Sequence, residues 1–255
     1  MVLQPGKKIY FASDFHLGVP DLAASHERER RICRWLDEIR PDAQRIYLVG
    51  DIFDAWFEYR YVVPKGFVRL MGKLAELTDA GIEIEAFTGN HDLWMRGYFE
   101  DELNIPVHHG PVELEVNGKK LFIAHGDGLG PGDHKYKLLK RILTNPACQW
   151  LYRRFHPNFG IGVASFFSKL GPKHKNTEPE KFLGEDKEWL IRFCKDTLKE
   201  QHFDYFIFGH RHLPLEYPVG EGSTYINLGD WITFNTFGVF DGHTCSLQRY
   251  EQAAG

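Results

Sequence analysis

Residues 45–56 read Arg-Ile-Tyr-Leu-Val-Gly-Asp-Ile-Phe-Asp-Ala-Trp: a short apolar run that stops abruptly at Gly50-Asp51. Four other runs behave in the same way. Residues 8–13 (KIYFAS) lead into Asp14-Phe15-His16, and 82–87 (IEIEAF) lead into Gly89-Asn90-His91-Asp92. Residues 120–124 (KLFIA) end at His125-Gly126-Asp127, and 205–208 (YFIF) end at Gly209-His210-Arg211-His212. Short runs rich in Ile, Val, Tyr and Phe predict strands, mostly buried ones.

Helical spacing fills the intervals. Ile32, Trp35, Leu36 and Ile39 recur at i, i+3, i+4, i+7, and so do Phe67, Leu70, Leu74 and Leu77, with Gly81 placed as a stop. Trp189, Phe193, Thr197 and Leu198 mark a third helix. Strands alternating with helices predict an α/β layered domain. Asn117-Gly118 and Asp241-Gly242 each sit between two strand-like runs and predict hairpins, so the sheet is mixed with antiparallel edges.

The 255 residues are 43% hydrophobic and 26% charged, which excludes a disordered or fibrous chain. A formal net charge of −4 argues against non-specific nucleic-acid binding. Cys33, Cys148, Cys194 and Cys245 are far apart and form no CxxC pair, so reduced thiols are expected. No stretch approaches a membrane-spanning length, and residues 1–6 lack an apolar leader, so a cytoplasmic protein is expected.

One segment differs. Residues 128–180 hold nine basic and three acidic residues, a net of +6, which leaves −10 for the remainder. The same stretch holds seven aromatic residues, among them Tyr136, Trp150, Tyr152 and Phe155. Its helical pattern is expected to break at Pro146, Pro157, Gly160 and Pro172. Because it lies between two strand-end motifs, it reads as an insertion (128–180) over a core made of 1–127 and 181–255.

Ligands of open α/β sheets bind beyond the carboxyl ends of strands, so the five polar clusters should converge. A lone Asp or His there is ordinarily a solvated loop residue or a helix cap; the ordered set is different. Carboxylate, imidazole and amide oxygen suit Mn²⁺, Fe or Zn²⁺. Counting donors gives two sites that share Asp51. Asp14, His16 and His212 complete one, and Asn90, His125 and His210 complete the other. Two metals about 3.5–4 Å apart suit in-line displacement at phosphorus, with a hydroxide available at neutral pH.

The ordered motifs DxH, GDxxD, GNHD, HGD and GHxH closely resemble the calcineurin-like metallophosphoesterase superfamily over residues 8 to about 235. The resemblance implies a four-layer α/β/β/α sandwich of two mixed sheets with a helical cap insertion. It also implies that His91 assists the leaving group, that Asn90 helps stabilise developing charge, that Asp92 orients His91, and that Asp54 stands behind the ligands, toward the substrate. Within the superfamily, Gly50-Asp51-Ile52-Phe53-Asp54-Ala55-Trp56, His125-Gly126-Asp127 and Leu228-Gly229-Asp230-Trp231 are similar to UDP-2,3-diacylglucosamine hydrolases of lipid A biosynthesis. That likeness implies cleavage of a UDP-linked diacylated glucosamine lipid at the α-phosphate, giving UMP and diacylglucosamine 1-phosphate, by di-metal-activated hydroxide with Mn²⁺. It implies a peripheral enzyme on the cytoplasmic face of the inner membrane, with the membrane surface as partner and no obligate protein partner. Ser168, Lys169 and Lys173 are the substrate-side candidates of the insertion. One departure stands out: the best-known branch of that group has Arg where this chain has His91.

Two other readings stay open. The same chemistry could serve nucleotides, phosphodiesters or phosphoproteins. The fold could also be a binding module without catalysis, against which the complete donor set argues.

Overall fold

The computed structural model describes residues 1–132, 134–170 and 181–251. One sheet has the order β11-β10-β1-β2-β3-β4, the other β5-β6-β7-β9-β8. In the first, β1 (Lys8–Ala12), β2 (Ala43–Val49), β3 (Glu83–Phe87) and β4 (Val107–His108) run parallel, and the hairpin of β10 (Thr236–Phe240) and β11 (Cys245–Arg249) adds antiparallel to β1. In the second, β6 (Lys119–Ala124), β7 (Tyr205–Phe208) and β9 (Ser223–Asn227) run parallel, between antiparallel edges β5 (Val112–Val116) and β8 (Leu215–Gly220).

Strand side chains alternate between faces, and both faces of these sheets are buried. Tyr10, Ala12, Ile46, Leu48 and Ile84 meet Trp35 and Leu36 of α1 (Leu22–Ile39) and Leu70 and Leu74 of α2 (Val68–Asp79). Their neighbours Ile9, Phe11, Tyr47 and Val49 face Leu121, Ile123, Ile207 and Ile226 of the other sheet. On the far side, Phe122, Phe206 and Phe208 receive Leu190, Ile191 and Cys194 of α7 (Trp189–Thr197). The layers are therefore α/β/β/α. Each of the five long apolar runs is a strand, and both Gly-containing turns close hairpins, as the sequence predicts. All four cysteines are free thiols.

The described part of the basic, aromatic stretch forms α4 (His134–Leu143), α5 (Pro146–Tyr152) and α6 (Pro157–Leu170), after a short α3 (Tyr98–Leu103) earlier in the chain. Pro146 and Pro157 open helices, where a missing N–H costs nothing. Gly160 does not break α6, contrary to expectation. It is buried where Tyr59 and Tyr152 close over it, and a Cβ there would meet the Tyr59 hydroxyl. Glycine is tolerated in the helix because that approach requires it. Pro172 lies outside the described residues.

Candidate metal centre

The donors stand on loops that leave the carboxyl ends of β1, β2, β3, β6 and β7. Main-chain bonds lock these loops together: Asp14 N to Gly50 O (3.1 Å), His16 N to Asp51 O (2.9 Å) and Gly209 N to His125 O (3.0 Å). Asp14, His16, Asp51, His210 and His212 all have left-handed backbone, with φ between 43° and 68°. Such conformations are costly for residues with a Cβ and concentrate at functional sites. Neighbouring glycines make room: a Cβ on Gly209 would stand 2.6 Å from Asp14 Oδ2.

Three overlapping donor groups result: Asp14, His16 and His212; His16, Asp51 and His91; Asp51, His125 and His210. Within each, the ligand atoms lie within 4.8 Å of one another. His16 Nε2 is 2.9 Å from His212 Nε2, and Asp14 Oδ1 is 3.0 Å from His212 Nε2. Asp51 Oδ2 is 3.2 Å from His125 Nε2 and 3.6 Å from His16 Nε2.

The two carboxylates are used alike. Asp14 Oδ2 accepts the His210 N–H at 2.9 Å, and Asp51 Oδ1 accepts the His91 N–H at 2.9 Å. The other oxygens, Asp14 Oδ1 and Asp51 Oδ2, are buried and take no hydrogen bond, although imidazole nitrogens stand close by. Asn90 Oδ1 and His125 Nε2 are left in the same condition. Asp14 Oδ1, Asp51 Oδ2 and His125 Nε2, buried in one cluster and without hydrogen bonds among the described residues, fit bound cations rather than a protein network.

Outer partners fix the rings. His125 Nδ1 donates to the Val49 carbonyl at 2.9 Å, which leaves Nε2 toward Asp51. His212 Nδ1 faces Asp230 Oδ2 at 3.6 Å, while Asp230 Oδ1 accepts the N–H groups of Ile232, Thr233 and Phe234. Arg28, buried beneath the first loop, donates to the carbonyls of Phe15 (3.1 Å) and His16 (2.7 Å). No motif in the sequence marks Arg28; its contact depends on how α1 meets the loop.

The buried carboxylates and imidazoles of the cluster perturb one another. Burial alone would raise the Asp14 and Asp51 carboxyls, but the surrounding imidazoles outweigh it, His212 foremost for Asp14 and His125 for Asp51, and hold both well below the ordinary range. Burial lowers His16 and His125, yet the facing carboxylates lift them to about 9 and about 10. Burial and the nearby Asp51 push Asp92 up to about 7.

One expectation is corrected. Asp92 does not orient His91. Its carboxylate accepts the N–H groups of Gly89 (2.7 Å), Ile52 (2.8 Å), Asp51 (3.3 Å) and Phe53 (3.3 Å), so it ties the second loop to the third. Asp54 takes the place at His91, with its main-chain oxygen 3.0 Å and its Oδ1 3.5 Å from Nδ1. Asp54 is also buried, with Oδ1 3.6 Å from His16 Nδ1, so it faces two rings of the cluster. Ser168 and Lys169 fall on α6 with side chains outside those described, and Lys173 lies outside the described residues.

The chain is similar to known proteins over nearly its whole length. A protein named UDP-2,3-diacylglucosamine hydrolase from Porphyromonas gingivalis is 41% identical, over 96% of this chain and 98% of that one. Relatives of the same name from Pseudomonas aeruginosa and Edwardsiella ictaluri are 27% and 24% identical, each over 88% of this chain and over 90% and 84% of theirs. Among solved structures, the phosphoesterase Yfce from E. coli is 17% identical, with a TM-score of 0.47 over 95% of this chain and 92% of that one. The family profile of calcineurin-like phosphoesterases matches residues 7–214. That match covers most of the chain, and the chain belongs to the calcineurin-like phosphoesterase family.

Proposed function

We propose that the protein hydrolyses the pyrophosphate of UDP-2,3-diacylglucosamine at the α-phosphate, releasing UMP and 2,3-diacylglucosamine 1-phosphate. The observation that carries this reading is the 41% identity, across both full lengths, to a hydrolase named for that substrate. Asp14, His16, Asp51 and His212 would hold one divalent cation, and Asp51, Asn90, His125 and His210 a second; Mn²⁺ suits this set of oxygen and imidazole donors. Such cations would supply Lewis acidity toward phosphoryl oxygens and lower the pKa of water.

The chain's own residues do the rest. Asn90 directs an amide toward the transferring group and helps stabilise its charge. His91 supplies a proton to the departing lipid phosphate from Nε2, because its Nδ1 is committed to Asp54. The insertion 128–180 is assigned as the substrate cap of a core made of 1–127 and 181–255, its aromatic residues taking the acyl chains, with Ser168, Lys169 and Lys173 as candidates for recognising the phosphates or uridine. Exposed Trp150, Leu151, Phe155 and Phe159, together with the basic charge of the cap, suit an enzyme peripheral to the cytoplasmic face of an anionic membrane.

The test is Mn²⁺-supplemented hydrolysis of UDP-2,3-diacylglucosamine with both products quantified. Equal release of UMP and lipid phosphate is expected. A preparation that cleaves bis-p-nitrophenyl phosphate but not the lipid overturns the substrate and keeps the di-metal hydrolase.

A further inference from the structure

The loop after Phe57, the start of α3 and the end of α5 enclose a cleft of about 460 Å³. None of its lining residues belongs to the metal cluster. Three guanidinium groups line it, Arg60, Arg96 and Arg153. Its most buried carboxylate, Glu58, is already committed: it accepts the N–H groups of Gly97 (3.0 Å) and Tyr98 (3.2 Å) and of the Trp56 indole (3.0 Å). Among the described residues, none of the three arginines reaches a carboxylate at ion-pair distance, although Asp101 and Glu102 also line the cleft.

Two of the arginines are tied to their surroundings. Arg96 donates to the Gln149 side chain, which is buried and in turn donates to the Leu143 carbonyl at 2.9 Å. Arg153 closes α5, and its buried Nε makes no hydrogen bond. Burial and the positive charge of Arg153 lower the Arg96 pKa, against the opposing charge of Glu58. Like charges gathered with unused donors in a cleft are what an anion site requires. At the rim, Tyr61 is 83% exposed and lies under the Arg60 guanidinium, 5.0 Å from its ring centroid.

We propose that this cleft binds a phosphate group, clamped by Arg96 and Arg153 and closed at the rim by Arg60. Guanidinium forks match phosphate oxygens in pairs. The phosphate belongs either to a phospholipid headgroup, with exposed Tyr61 and Val62 entering the interface, or to a soluble phosphate ester. The site does not depend on the substrate reading.

Vesicles of phosphatidylcholine with and without phosphatidylglycerol test the first source, and protection from thermal unfolding by glycerol 3-phosphate tests the second. Binding to the phosphatidylglycerol vesicles should fall about fivefold in Arg96→Ala and in Arg153→Ala. Cleavage of bis-p-nitrophenyl phosphate should not change, which also shows that both variants fold. Arg60→Ala carries the test if either substitution disturbs the fold. Protection by glycerol 3-phosphate that is lost in the variants, with vesicle binding unchanged, assigns the soluble ester and upholds the site. Variants that match the wild type in both measurements overturn it.

Discussion

His91 Nδ1 lies 3.0 Å from the main-chain oxygen of Asp54 and 3.5 Å from its Oδ1. A carbonyl only accepts, so Nδ1 carries the proton in that bond and Nε2 is the nitrogen that exchanges one. His91→Ala should therefore cost about 10²-fold or more with a poor leaving group, and much less with p-nitrophenolate. Asp54→Asn keeps the main-chain bond and should cost about tenfold. Rates measured across a leaving-group series check both; equal losses at every leaving group remove His91 as the acid.

Asp51 offers one oxygen to the His91 N–H and keeps the other toward His125 and His16. Asp51→Asn and His125→Ala should abolish turnover and lower bound metal, read by elemental analysis of the purified protein. Unchanged turnover in a variant stripped of metal would refute the di-metal account.

Arg28 satisfies the Phe15 and His16 carbonyls from a buried position. Arg28→Met should cost about 1–3 kcal/mol for each carbonyl left without a partner. It should also weaken metal binding, because Asp14 and His16 flank the affected turn. Arg28→Lys should recover part of both. Thermal unfolding and metal titration measure the two effects separately; a full loss of stability with metal affinity intact would make Arg28 structural only.

Asp204 bonds the Lys119 ammonium (2.9 Å) and the Lys120 N–H (2.8 Å). Burial works to raise this carboxyl, but those two partners outweigh it and hold it below the ordinary 3.8. A lowered folded value means the stabilisation is fully present above the ordinary value of the unfolded chain and is lost as pH falls from there through the folded value. Asp204→Asn should destabilise the protein near neutrality and flatten the acid limb of its stability curve. An acid limb identical to that of the wild type would contradict the assignment.

Much of this arrangement is legible in the sequence, for physical reasons. Most of the strands that carry donors are buried on both faces and appear as apolar runs that stop where the ligands begin; β3, interrupted by Glu83 and Glu85, still shows its apolar residues at every second position. β8 and β9 escape notice because Leu215–Gly220 is an edge strand interrupted by Pro218, and Ser223–Asn227 is short and half polar. β4 has only two residues. At the site, donor types and order are legible, but partners that depend on loop closure are not. Spacing cannot show that Asp54 rather than Asp92 meets His91, that Arg28 underlies the first loop, or that five donors sit on left-handed backbone.

On the proposed reaction, water activated at the Asp51 cluster attacks the α-phosphorus of UDP-2,3-diacylglucosamine. The most direct measurement is turnover by the Mn²⁺-loaded protein in heavy-oxygen water, with the isotope followed into both products. One labelled oxygen in UMP and none in the lipid phosphate is the predicted result. Label in 2,3-diacylglucosamine 1-phosphate would contradict it.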